Sequence, residues 1–173
     1  MTCTELPADA ERTTVSEQPT FVWSQGSSPS LPPTPAPHML LDYIDAIDRW
    51  AVRSLDTPPE GAQIARAIIQ GNAIAICDGS YKDHFGTAGF VIQTRDQESR
   101  ILGAHVTPGH MDDQNPYRSK VGGIFAIVII VEALCAKYDI TEGTIVLGCD
   151  CKSALIAVFE HVYDTHSQQS APP

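Results

Sequence analysis

The segment NPYRSKVGGIFAIVIIVEALCAKYD limits what this chain can fold into more than any other. Ile124, Ile127, Val128, Val131, Leu134, Cys135 and Tyr138 recur at helical spacing, and Phe125, Ile129 and Ile130 widen the stripe. The pattern predicts a helix from Pro116 to about Tyr138 that is covered around most of its circumference. A helix of that kind is largely buried. Its most continuous apolar stretch, Ile124 to Val131, is too short to span a bilayer.

The sheet is legible on both sides of this helix. AIAICDGS is short, apolar and rich in β-formers, and it ends in turn residues. FGTAGFVIQT follows through YKDH, and ILGAHVTP follows the polar turn RDQES. Three strands joined by short turns predict an antiparallel meander. After the long helix comes TIVLGCD, a fourth strand that is expected to run parallel to its neighbour because a helix precedes it. KSALIAVFEHVY reads as a last helix. The predicted class is α/β: three antiparallel strands, a long helix, a parallel fourth strand and a helix.

The chain divides on composition. Residues 1–38 are rich in Pro, Ser and Thr without periodicity and are expected to be disordered, with PPTPAP as a candidate polyproline ligand. Residues 39–71 are expected to form two helices. In the first, MLLDYIDAIDRWAVRSL, Leu40, Leu41, Ile44, Ile47, Trp50 and Ala51 form a stripe; the second, TPPEGAQIARAIIQG, opens with capping-box spacing from Thr57 to Glu60, with Pro58 at the first position, and stops at Gly71. Residues 72–163 form the sheet domain and 164–173 a polar tail. The N-terminus lacks a basic stretch followed by an apolar one, so no secretory leader is expected and an intracellular protein is. Five cysteines, an odd number mostly in apolar runs, read as thiols rather than a disulfide framework. Cys149 and Cys151 around Asp150 lack the further ligands that zinc needs. A net charge of −10 argues against a broad basic face that grips nucleic acid.

Asp78 closes the first predicted strand and Asp150 the fourth. On neighbouring strands they stand at one sheet edge, where two carboxylates repel and Mg²⁺ relieves the repulsion through oxygen ligation. A pair of such ions can hold a phosphodiester in line for attack by water. Each aspartate also has a plain structural reading: Asp78 as a turn residue in D-G-S and Asp150 as a helix cap.

ICDGSYKDHFGTAGFVI, NPYRSKVGGIFAIVIIVEAL and VLGCDCKSAL, in this order, resemble the type 1 ribonuclease H-like domain that accompanies reverse transcriptases in retroelements. The resemblance covers about residues 60 to 163. It implies cleavage of the RNA strand of RNA–DNA hybrids with Mg²⁺, or Mn²⁺ in its place, and Asp78 and Asp150 as metal ligands. The Asp-Gly-Ser turn also looks like the phosphate-binding strand of actin-like sugar kinases, but that group needs a much longer chain.

In the family the helix motif resembles Y-R-S-E-L-G-G-I, with the glutamate as the central metal ligand. Here that position is Lys120, in a frame set by Tyr117, Arg118, Ser119, Gly122, Gly123 and Ile124. Glu132, twelve residues on, stands about 18 Å along the helix and is no substitute. An ammonium ion cannot ligate Mg²⁺, and it favours the charged form of both aspartates as their counterion. Lys120 as an exposed helix residue without a role is the plainer alternative. Gly122 and Gly123 are expected to let the helix lie close under the strands. The family also continues into a further strand and a helix that bring a last carboxylate, and the sheet here is expected to lack both. Here His161, Asp164 and His166 are the local candidates and none is assigned; His84, His105 and His110 read as loop or strand residues. The resemblance implies a retroelement-derived, ribonuclease H-like protein with impaired activity. The competing readings are a non-catalytic module that keeps the fold for hybrid or protein contacts, and a fragment without selected function.

Overall fold

A computed structural model describes residues 2–4, 20–22, 39–57 and 61–167, with side chains for 39–57 and 61–159. Two short strands, β1 (Thr2–Thr4) and β2 (Thr20–Val22), pair antiparallel within the proline-rich lead. The rest of that lead, including PPTPAP, and residues 168–173 lie outside the described residues, as do Pro58 to Glu60 of the predicted capping box.

The first helix expected over 39–55 is not formed. Two 3-10 turns, Leu40–Tyr43 and Arg49–Val52, are followed by a short strand, β3 (Ser54–Asp56). The apolar spacing of three and four suits successive 3-10 turns as well as an α-helix. Between the turns Ile44 is extended, and the Arg49 guanidinium donates to the carbonyls of Ile44 (3.3 Å) and Leu41 (3.1 Å). Leu40, Ile44 and Ala51 of the stripe are buried all the same, as is Val52 outside it, while Leu41 and Ile47 of the stripe are exposed. The second helix is present as α1 (Ala62–Ile69), and Gly71 takes the left-handed conformation that ends it, with φ +70°.

The sheet follows in the predicted order. β4 (Ala73–Lys82), β5 (Phe85–Thr94) and β6 (Arg100–Val106) form the antiparallel meander. β4 runs further than the sequence suggested, through Ser80 to Lys82, and turns at Asp83 and His84, both with positive φ (50° and 67°). A two-residue turn of that sign matches the strand twist. Asp78 therefore lies inside β4 rather than at its end. Then come α2 (Pro116–Tyr138), β7 (Ile145–Cys149) and α3 (Lys152–Ser167). α3 takes in 164–167, which the sequence assigned to the tail. β7 pairs with β4 in parallel, as expected, and the five-stranded order is β3-β6-β5-β4-β7. The molecule is thus α/β with a mixed sheet. β2 lies beside β7 without joining its ladder.

Strict alternation along the strands puts one set of side chains under the helices. Ala73, Ala75 and Cys77 of β4, Ala88, Phe90 and Ile92 of β5, Ile101 of β6 and Leu147 and Cys149 of β7 are buried together. α2 closes this core with Ile124, Ile127, Ile130 and Leu134, all at 1% exposure or less, while α1 adds Ile64 and Ile68 and α3 adds Leu155. By length and composition α2 could cross a membrane, beyond what Ile124 to Val131 alone suggested, but here it is the central helix of the core. On the opposite face Ile76 and Val106 stay exposed.

Candidate functional site

α2 begins against the middle of β4, and its cap fixes where. Asn115 accepts from the Arg118 amide at 2.8 Å, and Pro116 takes the first helical position. The Arg118 guanidinium donates twice to the Pro108 carbonyl (2.9 and 3.2 Å), tying the preceding loop to the first turn. Ser119 is fully buried and its hydroxyl donates to the Asn115 carbonyl at 3.2 Å. This turn crosses β4 at Gly79, where a Cβ would stand 2.5 Å from both the Lys120 amide nitrogen and the Ser119 carbonyl carbon. Only a strand residue without a side chain permits that crossing. One turn on, a Cβ on Gly123 would be 3.0 Å from Cys77 Cβ, and one on Gly122 3.1 Å from His105 Nε2. The two glycines serve the close packing expected of them.

The crossing delivers Lys120 to the carboxylates. Cys77 and Cys149 are register partners on β4 and β7, so the residues that follow them, Asp78 and Asp150, emerge side by side. Lys120 Nζ lies 3.3 Å from Asp78 Oδ1 and bonds both carboxylate oxygens of Asp150. The lysine side chain is 16% exposed; the aspartates are 79% and 59% exposed. Its stem is thus covered while the charges meet at the rim. Partial burial lowers the lysine pKa, but hydrogen bonds and charge from Asp150 and Asp78 outweigh it and hold the ammonium above the ordinary lysine value. A raised lysine pKa means that this stabilisation is complete below the ordinary value and is lost only as pH climbs through the raised one. Near neutral pH Lys120 is a fixed cation.

The three residues singled out in the sequence, Asp78, Lys120 and Asp150, are therefore brought together. They do not fit a divalent cation. The ammonium group occupies the space between the two carboxylates, and among the described residues no group of three or more His, Cys, Asp or Glu side chains is assembled to hold a metal. His161, Asp164 and His166 lie in the part of α3 whose side chains fall outside the described residues. Of the other histidines, His84 is in the β4–β5 turn and His110 precedes α2, hydrogen-bonded by the Asp112 amide.

In comparisons with known proteins, no family model matches this chain, and no curated protein or solved structure does.

Two features beside the site were not legible in the sequence. Directly beneath the carboxylates, Cys77 and Cys149 are buried against each other. Hydrogen bonding between the thiols lowers the pKa of Cys149 and, together with burial, raises that of Cys77. Nearby, His105 of β6 is 6% exposed and lies edge-on to Trp50 at 5.0 Å, while Trp50 stacks on Phe125 at 5.6 Å. Neither imidazole nitrogen has a well-formed hydrogen bond. Burial lowers its pKa, partly offset by the nearby Ala51 carbonyl. A buried neutral histidine binds its proton more readily in the unfolded chain, so stability falls as pH drops below the free-histidine value of about 6.5. The melting temperature is expected to decline between pH 7 and 5, and His105→Gln to flatten that decline. An equal slope in the variant would remove His105 as the cause.

Proposed function

We propose that this chain is a ribonuclease H-like domain of retroelement descent in which an internal ion pair has replaced the metal centre. On this reading it keeps the fold and does not cut RNA–DNA hybrids. The observation that carries the reading is Lys120 Nζ on Asp78 and Asp150, at the helix position where the resemblance calls for a metal-binding glutamate. The strand and helix order supports the fold assignment. The meander, the long helix entering beneath β4, and the parallel β7 beside β4 follow the order in which the three resembling motifs occur. The family's further strand would lie beyond β7; here β7 ends the five-stranded sheet, and β2 touches it without joining the ladder.

Mg²⁺ in the family neutralises the clustered carboxylates and polarises the phosphodiester. Lys120 supplies the first of these and not the second. One positive charge satisfies Asp78 and Asp150 but presents no open coordination position to a phosphate or a water. RNA–DNA hybrid remains the ligand class to test, and a net charge of −10 calls for that test at low salt.

A labelled hybrid is incubated with the protein in Mg²⁺ and, separately, in Mn²⁺, with Asp78→Asn as the blank. No cleavage above the blank is expected with either ion. Cleavage by the unaltered chain above the blank would overturn the proposal and make this a working nuclease. A shift of the hybrid that weakens steeply with salt, without cleavage, would assign the domain a binding role.

A further inference from the structure

Four of the cysteines have described side chains, and two of them form a pair of unusual placement. Cys77 and Cys149 are direct register partners on the adjacent parallel strands β4 and β7, so their side chains leave the sheet on the same face. Neighbouring strands stand about 4.8 Å apart, within the roughly 4.4–6.8 Å between Cα atoms that a disulfide bridges. Both thiols are free and buried, at 3% and 1% exposure. Above them α2 presents Gly123, whose missing Cβ would be 3.4 Å from Cys77 Sγ, so the helix leaves room for the sulfurs to turn. Cys135 lies near the far end of α2, and Cys151 turns to the Ser153 hydroxyl at 3.3 Å.

We propose that Cys77 and Cys149 are a modification site: a dithiol that closes into a reversible cross-strand disulfide immediately ahead of Asp78 and Asp150. The oxidant is a small-molecule disulfide of the oxidised glutathione class. One cysteine sulfur, having lost its proton, attacks a sulfur of that disulfide and releases one small thiolate. The second cysteine sulfur, likewise deprotonated, displaces the remaining half from the mixed disulfide. Two protein thiols lose two electrons and two protons, and one small disulfide becomes two thiols. β7 is the edge strand of the five-stranded sheet, so its opening exposes Cys149 without unfolding the meander. The bond would fix β7 to β4 and hold the backbones that carry the two aspartates at one spacing, whatever the state of Lys120. The proposal does not depend on any nuclease ancestry.

The test uses full-length Cys151→Ser protein, so that tryptic peptide 138–152 carries Cys149 alone and peptide 67–82 carries Cys77. The protein is held with oxidised glutathione a few degrees below its melting transition, and remaining thiols are alkylated before digestion. The expected result is a single species linking the two peptides, split by dithiothreitol. The melting temperature should rise by at least about 5 °C, because the bond closes a long loop, and Cys77→Ser should abolish both effects. Recovery of both peptides alkylated, of Cys149 carrying only glutathione, or of Cys149 joined to Cys3 or Cys135 would overturn the proposal.

Discussion

Lys120→Glu is expected to convert a protein indifferent to divalent cations into one whose stability follows them. In a chelator the variant places a third carboxylate against Asp78 and Asp150, which lose the ammonium that bonds both. These aspartates are largely exposed, so solvent screens part of the repulsion, and the loss is about 1–2 kcal/mol. At this chain length that lowers the melting temperature by roughly 5 °C. Millimolar Mg²⁺ or Mn²⁺ should restore it, because a cation that binds only the folded state adds stability through mass action. The unaltered protein should melt at the same temperature in chelator and in Mg²⁺. Lys120→Gln, which removes the charge without adding a ligand, should be destabilised and not rescued. If Lys120→Glu is as indifferent to cations as the unaltered chain, the three side chains do not form one site. Hybrid cleavage by the variant in Mn²⁺ would go further and support the proposed ancestry directly.

The second large effect belongs to Gly79. A methyl group there meets main chain on α2, at 2.5 Å from Lys120 N and Ser119 C and 2.8 Å from Ser119 Cβ. Main chain cannot rotate aside as a side chain can, so either α2 lifts or β4 bends. Gly79→Ala should cost about 3 kcal/mol, at the upper end for overpacking, and lower the melting temperature by roughly 10 °C. Gly89→Ala is the matched control one strand over, since a Cβ there has only an ordinary contact, 3.8 Å from the Gly103 carbonyl oxygen. It should be nearly neutral. Equal melting of the two variants would refute the close crossing of α2 over β4, and with it the reason why Lys120 reaches the carboxylates.

The residues themselves show which parts of this architecture sequence can reveal. Period is robust where an element is long and one-sided. Ile124 to Tyr138 carried a helical stripe wide enough to mark a largely covered helix, and the switch at Ala73 from helical to alternating spacing marked the meander. Period fails where elements are short. Leu40 to Val52 carried a helical stripe, yet 3-10 turns with carbonyls held by Arg49 use the same spacing, and β3 is too brief to show alternation. At the site, the frame around Lys120 singled out a residue that the fold sets against Asp78 and Asp150. The strand-end argument for Asp78 was mistaken in detail, because β4 continues four residues beyond it. The pair still meets because β7 is the shorter partner and ends at Cys149. The demand on Gly79 and the facing of Cys77 on Cys149 depend on register, which no local pattern encodes.

Lys120 joins positions 42 and 30 residues away along the chain. A cation drawn from solution would hold the same two carboxylates only in proportion to its activity in the medium. The ammonium of Lys120 is tethered to a buried helix, so its effective concentration at the carboxylates is set by the fold. Dilution, chelators and changing ion levels leave its occupancy where it was. Sampled only alongside the folded chain, it makes the joint between the two strands an intrinsic property of the polypeptide rather than of its surroundings.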